Sequence, residues 1–358
     1  MDPLSNEFPF WAYIPSDHTK WNKNAGLYLL NPPASEGDFT NEIVLIPYHF
    51  KSKATPFDRN KCLHLKIKDF IEKNIFSKNK HKHIPHSIHL NQIPSFDEYL
   101  YSFRFIKSKI HRGDIYEMNF CLEFRPEFHQ IHPMELFELI FEKTQAPYSI
   151  LLRLNKTFLL CFSPELFLKR EGQKLITEPI KGTLKKGGSD FEHKLNEFVK
   201  SAKEKAENAM AVDVARNDFS RIARRGSVCV PELFAVKELK NIVQMYSRVE
   251  CQIKESTDWY DILTATFPMA SMTGAPKISA MEIIRQTEHF ERGYYSGSIG
   301  IFNTPEDAVL NVVIRTLEYD INFHKARFCA GSAITWRSEA EKEFEECVLK
   351  VRSILEIN

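Results

Sequence analysis

Two pairs of glutamates have a spacing that could hold a metal ion. Glu204 and Glu207 lie three apart in SAKEKAENAM, and Glu343 and Glu346 repeat that spacing in EKEFEEC. On a helix, residues three apart share a face, so each pair would present its carboxylates together. Paired oxygen donors, with water and an anionic substrate completing the shell, suit Mg²⁺. A solvated, charged helix face is the competing reading of each pair. No His or Cys set has zinc spacing, and the histidine-rich HKHIPHSIH (81–89) reads as a solvated loop.

Three further groups could handle an anion. SMTGAPK sets Thr273, Gly274 and Lys277 at a helix start, where free N–H groups and a cation favour a carboxylate or phosphate. A plain Gly-Pro turn is the alternative there. Arg315 in NVVIRT reads as lying inside an apolar strand, where its fork must be paired, either with a ligand carboxylate or in a structural ion pair. Gly331, Ser332 and Ala333, ahead of the last helix, are small enough to let backbone N–H groups face an anion. A fourth position is Lys181 in TEPIKGTLKKGG. A lysine near buried surface can shed its proton and act as nucleophile or base, whereas one in an exposed turn is inert.

The elements that must carry these residues follow from periodicity. SFDEYLYSFRFIKSKIHRGD spaces Phe96, Leu100, Phe103, Ile106 and Ile110 as a helix with a glycine exit at Gly113. PMELFELIFEKTQ predicts a second helix. YSILLRL, TFLLCFS and LFLKREG predict strands. Residues 190–224 predict one long helix with Leu195, Phe198, Val199, Ala202 and Ala206 inward. APKISAMEIIRQTEHF predicts a helix with Pro276 in its first turn. LNVVIRTLEY reads as one strand, and Ser338 with Glu341 as a capping box on the last helix. A helix is expected near Lys66–Ile75. Short alternating strands interleaved with helices indicate an α+β architecture, not a doubly wound parallel sheet.

Composition narrows the function classes. The 358 residues carry 48 Lys+Arg against 47 Asp+Glu, so no global charge favours nucleic acid or anionic lipid. Residues 51–90 are locally basic, with ten Lys/Arg, three Asp/Glu and five of the 13 histidines, but few aromatics for base stacking. No run approaches the ~20 apolar residues of a membrane span. The N-terminus lacks a signal-peptide layout, so a soluble cytoplasmic protein is expected. Seven unpaired cysteines, mostly inside apolar stretches, read as reduced core residues.

Taken in order, GDIYEMN (113–119), SPELF (163–167), TEPIKGT (177–183), AENAMAVDVARNDFSRI (206–222), FPMASMTGAPKISAMEII (267–284), RGYYSGSIG (292–300), VIRTL (313–317) and SEAEKEFEE (338–346) resemble the chorismate-utilising enzymes. The resemblance runs from Ser95 to the C-terminus, and Lys181 places it nearest the aminodeoxychorismate-forming branch. Anthranilate-forming relatives usually have alanine there. The resemblance implies two large, mostly antiparallel sheets packed as a sandwich with helices outside. A catalytic domain would span 95–358, behind a reduced N-terminal segment, 1–94, packed on the same unit, and that reduction argues against regulation by bound tryptophan.

By the same resemblance Lys181 is the covalent nucleophile and Glu165 a general acid/base. Glu207 and Glu346, with Glu204 and Glu343, hold Mg²⁺. Thr273, Lys277, Tyr295, Arg315 and the backbone at Gly331, Ser332 and Ala333 surround the substrate. Chorismate is the implied substrate, with ammonia from a separate glutamine amidotransferase subunit, because no Gly-x-Cys-x-Gly nucleophile setting or fused lyase is expected in this chain. Ser332 and Ala333 replace glycines common in relatives, and Gln244 a histidine common in anthranilate synthases. Rival readings are anthranilate synthase and a non-catalytic regulatory or nucleic-acid-binding module.

Overall fold

The structure is a computed structural model that describes residues 8–15, 19–21, 23–49, 57–72, 89–127 and 131–355. Its first strands are β1 (Phe10–Ile14), β2 (Gly26–Leu30), β3 (Glu42–Ile46), β4 (Leu63–Ile71) and β5 (His89–Gln92). Helix α1 (Phe96–His111), β6 (Glu117–Glu127) and α2 (Pro133–Thr144) follow. Next come β7 (Tyr148–Leu154), β8 (Thr157–Ser163), β9 (Leu166–Glu171), β10 (Lys174–Thr177) and β11 (Ile180–Lys185). Helices α3 (Phe191–Lys200) and α4 (Ala202–Ser220) precede β12 (Cys229–Glu238), β13 (Ile242–Gln252) and α5 (Trp259–Thr266). The chain closes through β14 (Gly274–Ala275), α6 (Lys277–Thr287), β15 (Ser298–Thr304), β16 (Asp307–Asn311), β17 (Thr316–Asp320), β18 (Lys325–Thr335) and α7 (Ala340–Leu355).

All pairings among the described residues are antiparallel, and they build two large sheets, with β5 pairing on the far end of β6. One runs β4–β2–β1–β7–β8–β17–β18–β6–β14. The other runs β4–β3–β15–β16–β9–β10–β13–β12, with β11 following β10 along the same edge of β13. Strand β4 belongs to both, pairing with β3 over its first half and with β2 over its second.

Apolar side chains between the sheets, among them Ile14, Leu45, Leu159, Ile301 and Val309, form one core. A second core lies where α1, α2 and α7 cover the first sheet, through Ile106, Phe137, Phe124 and Val351. A third joins α4 and α5 to the second sheet through Val212, Ile262, Phe167 and Val249. Each fully buried Leu, Ile, Val or Phe contributes ~1.5–3 kcal/mol, so three contiguous cores hold the sandwich firmly. The expected α+β sandwich with outer helices is what forms. Strands β1 and β3 pair with β7 and β15, so N-terminal residues complete both sheets.

Several local expectations give way. The helix near Lys66–Ile75 is instead β4 through Ile71, because Leu63, Leu65 and Ile67 alternate with His64, Lys66 and Lys68 at a strand's period of two. The long helix at 190–224 is two. Ser201 accepts a hydrogen bond from the Glu204 N–H and starts a new helix, which resets the inward face. Val199, Ala202 and Ala206 are exposed, while Glu207, Asn208, Ala211, Val212, Ala215, Asp218 and Phe219 turn inward. Ser338 does not form the capping box. Its hydroxyl accepts from the Thr335 N–H and donates to the Ala333 carbonyl, closing the turn before α7. Six cysteines are buried and free, but Cys229 is exposed on β12, which among the described residues has a strand on one side only. His81, His83 and His86 lie outside the described residues. His64, by contrast, is buried on Glu42 at 3.2 Å.

Candidate active site

Two crossovers between the sheets bring distant residues together. Strand β8 of the first sheet passes to β9 of the second through Pro164 and Glu165. Strand β16 of the second passes to β17 of the first through 312–315. The two crossovers touch, with the Val312 N–H donating to the Glu165 carbonyl at 3.1 Å. Arg315 is therefore not inside a strand. The strand breaks after Asn311 because the chain must change sheets, and Arg315 itself takes φ +51°.

Glu165 is buried, and burial pushes its carboxyl up to about 6 against the pull of Lys237 and Lys181. The Arg315 guanidinium makes no hydrogen bond or ion pair among the described residues. Burial draws its pKa down to about 10, and Glu165 opposes that shift. A desolvated fork without a carboxylate is a natural seat for an anionic ligand. The structural ion pair considered for Arg315 does not form.

Lys181 lies on β11, where the register against β13 slips between Lys181 and Thr183. Gly182 absorbs the slip at φ +81°. That conformation suits glycine, and a Cβ there would meet the Glu204 carboxylate at 2.4 Å. Lys181 is buried, not solvated, and its ammonium is hydrogen-bonded and ion-paired to Glu117 of β6. Burial works against its charge, but Glu117, Glu207 and Glu165 outweigh it and hold the lysine protonated. Gln244 faces Thr183 across the ladder and donates to its hydroxyl at 3.3 Å.

Helices α4 and α7 bring the two glutamate pairs together. The Lys203 ammonium bridges them, 3.8 Å from Oε1 of Glu207 and 3.5 Å from Oε1 of Glu343. Lys350 pairs with Glu346 at 2.7 Å and donates to the Gly331 carbonyl at 2.7 Å. Burial pushes Glu207 up to about 7, against Lys181 and Lys203. Burial also raises Glu204, while Lys350 and Lys203 overcome it at Glu346 and hold that group low. Among the described residues no three carboxylate, His or Cys side chains converge as a ready metal cage. The donor chemistry nevertheless fits a hard divalent ion. Among the described residues Oε1 of Glu207 is buried without a hydrogen-bond donor, and the cation lying between Glu207 and Glu343 is the half-exposed Lys203.

The remaining predicted residues fall into two groups. Thr273 is fully buried. Its hydroxyl donates to the Met269 carbonyl at 3.1 Å, and its carbonyl accepts from the Asn119 N–H at 2.8 Å. Neighbouring Gly274 packs so closely on β6 that a Cβ would lie 2.2 Å from the Glu117 carbonyl. Tyr295 is buried, and Cys121 donates to its hydroxyl at 3.9 Å. Lys277 begins α6 as expected, yet its ammonium is engaged by Asp218 at 2.5 Å and the Thr266 carbonyl at 2.9 Å. Gly331, Ser332 and Ala333 are extended residues of β18 paired with Cys121, Phe120 and Asn119. Extended backbone accommodates the two Cβ atoms that replace glycines. Pairing of β17 with β18 stops at Leu317–Phe328, so among the described residues this stretch has a strand partner on one side only.

Sequence reasoning assigned no role to Glu117, Lys203, Lys350 or Arg292. Arg292 is buried and forks onto Glu288 at 2.6 and 2.7 Å, and it also donates to the Met272 and Asn119 carbonyls at 2.7 and 3.0 Å. It ties the Thr273 segment to β6. Glu117 lay within GDIYEMN, where strand alternation gives its face but not its partner.

The fold is an antiparallel α+β sandwich whose sheet crossovers gather this buried charged cluster, and its sequence places it in a family. The chain belongs to the chorismate binding enzyme family, whose profile matches residues 20–356. It is 35% identical over 247 residues to aminodeoxychorismate synthase component 1 of Bacillus subtilis, covering 68% of this chain and 52% of that one. The corresponding Escherichia coli protein is 36% identical over 262 residues, covering 72% and 57%. An anthranilate synthase component 1 of Haloarcula marismortui is 36% identical over 253 residues, covering 70% and 51%. The chain thus spans about half the length of the curated relatives it matches. In fold it is similar to anthranilate synthase component I from Streptococcus pneumoniae, with TM-score 0.73, 19% identity, and 97% and 90% of the two chains covered. No helix among the described residues is long and apolar enough to cross a membrane.

Proposed function

We propose that this chain converts chorismate and ammonia to 4-amino-4-deoxychorismate, as an aminodeoxychorismate synthase component I, in the cytoplasm. The observation that carries the reading is Lys181, a buried lysine in the same cluster as Glu165, Arg315 and the glutamate pairs. Relatives named for this activity and for anthranilate synthesis match at similar identity. Lys181 is what favours the first.

In this reading Arg315 binds a substrate carboxylate through its free fork, and Thr273, Tyr295 and the β18 backbone shape the surround. Lys277, engaged by Asp218, contributes positive charge near the start of α6. Glu207 and Glu346, supported by Glu204 and Glu343, would hold Mg²⁺ once Lys203 yields its place. When bound there, Mg²⁺ would supply Lewis acidity to the substrate.

Lys181, as the free amine, forms a bond to ring C2. The ring double bonds shift, and the C4–O bond breaks as Glu165 supplies a proton, releasing water. Ammonia then forms the C4–N bond, the double bonds shift back, and the lysine leaves with its electron pair returned to nitrogen. Ammonia would come from a glutamine amidotransferase partner. Direct attack of ammonia at C2, without the lysine, is the anthranilate route.

The test is incubation of the purified chain with chorismate, Mg²⁺ and ammonium, with product identification. 4-Amino-4-deoxychorismate is expected. Accumulation of fluorescent anthranilate would overturn the assignment and favour the rival reading.

A further inference from the structure

Building on that reading, we propose that Glu117 is the positioning residue and proton acceptor of Lys181, and so governs whether the lysine enters the reaction. Glu117 begins β6 and is held by three neighbours. It faces Ala275 of β14, Thr335 of β18 and the Lys181 ammonium. Its side chain is 4% exposed and that of Lys181 is 10% exposed, so water does little to screen or replace the pair. Gly274 lets β14 approach the Glu117 backbone, which fixes where the carboxylate can reach. Across the pair, the bulge at Gly182 fixes the lysine.

A nucleophilic amine requires that the ammonium give up one proton, and Glu117 is its direct hydrogen-bond partner. Transfer from Nζ to the Glu117 carboxylate leaves a neutral amine and a neutral carboxyl, with no net change in the buried charge. Glu165 is thereby left free to serve the departing oxygen. When the lysine leaves the adduct, the proton on Glu117 is available to return to it. Two carboxyl groups thus divide the two proton tasks.

The experiment uses the full chain as wild type, Glu117→Gln and Glu117→Asp, with folding checked by thermal melting. Steady-state assays with chorismate, Mg²⁺ and ammonium are combined with intact-mass detection of the Lys181 adduct. Glu117→Gln should lower kcat for 4-amino-4-deoxychorismate about a hundredfold with KM little changed, in the range typical of proton-transfer groups, because the proton that Lys181 must lose and regain in each turnover then has no neighbouring acceptor even though the resting amine is less fully protonated. Glu117→Asp should recover part of the loss. Unchanged kcat, or a rise in KM alone, would overturn the proposal.

A chorismate-free measurement separates the two ideas. Competitive acylation of Lys181 against exposed lysines should rise severalfold in Glu117→Gln, because the amine loses the partner that keeps it protonated. An unchanged labelling rate overturns the Glu117 role whatever the product is. Anthranilate from the wild type together with increased labelling overturns the product assignment but supports the Glu117–Lys181 coupling.

Discussion

A Cβ built on Gly182 would lie 2.4 Å from Oε2 of Glu204, so the residue after the candidate nucleophile and a candidate metal ligand share one space. Gly182 also sits at φ +81°, which costs an L-residue ~1–2 kcal/mol. Gly182→Ala should therefore lower stability by about that amount in urea unfolding. It should also weaken Mg²⁺ binding by calorimetry, because Glu204 must move. Unaltered Mg²⁺ affinity would separate Glu204 from the metal.

Lys181→Ala should cut 4-amino-4-deoxychorismate formation by at least about a hundredfold, as expected when a group used in the transition state is removed. Chorismate binding, followed by equilibrium dialysis, should persist because Arg315 and the β18 backbone remain. The variant leaves Glu117 buried without its cation, so its melting temperature should fall as well. Undiminished turnover would refute the covalent role.

Stability of the metal-free protein should decline as pH rises from about 5 to 8. Burial raises Glu165 to about 6, Glu207 to about 7 and Asp218 to about 6. A folded-state carboxyl with a raised pKa keeps its proton where the unfolded chain has already lost one. The folded state is therefore penalised as pH climbs through that window. Mg²⁺ should restore more stability at pH 8 than at pH 5, since ligation needs the carboxylates ionised. Melts with chelator and with Mg²⁺ across this range measure both effects. A metal-independent profile would count against ligation by Glu207.

Arg292→Ala should cost ~3–5 kcal/mol, because it strands buried Glu288 and frees the Met272 and Asn119 carbonyls. Arg292→Lys should recover little, since one ammonium cannot reproduce a fork that reaches four partners, Glu288, Ser296 and the Met272 and Asn119 carbonyls. Urea unfolding of both variants gives the comparison.

The sequence by itself determined the locally periodic parts of this protein: α1, α2, α6, the alternating strands and the glutamate spacings on α4 and α7. Those depend on residues a few positions apart, whose side-chain directions follow from helix and strand geometry. It also carried the ordered motifs by which the family is legible, including Lys181 and Glu165. Periodicity could not show where the chain changes sheet. The break at 312–315 and the dual membership of β4 arise from long-range pairing. Nor could it show that Ser201 restarts a helix and turns Glu207 and Asp218 inward.

Only the tertiary structure decided partners. Glu117 and Lys181 are 64 residues apart in sequence, and nothing local says that their charges meet in a buried place. Lys203 between Glu207 and Glu343, Lys277 on Asp218 and Arg315 without a hydrogen bond or ion pair among the described residues are likewise products of packing. The physical reason is that residue type and spacing set what a side chain can do. Burial and the charges brought beside it by distant strands set its protonation and what remains free to meet a ligand.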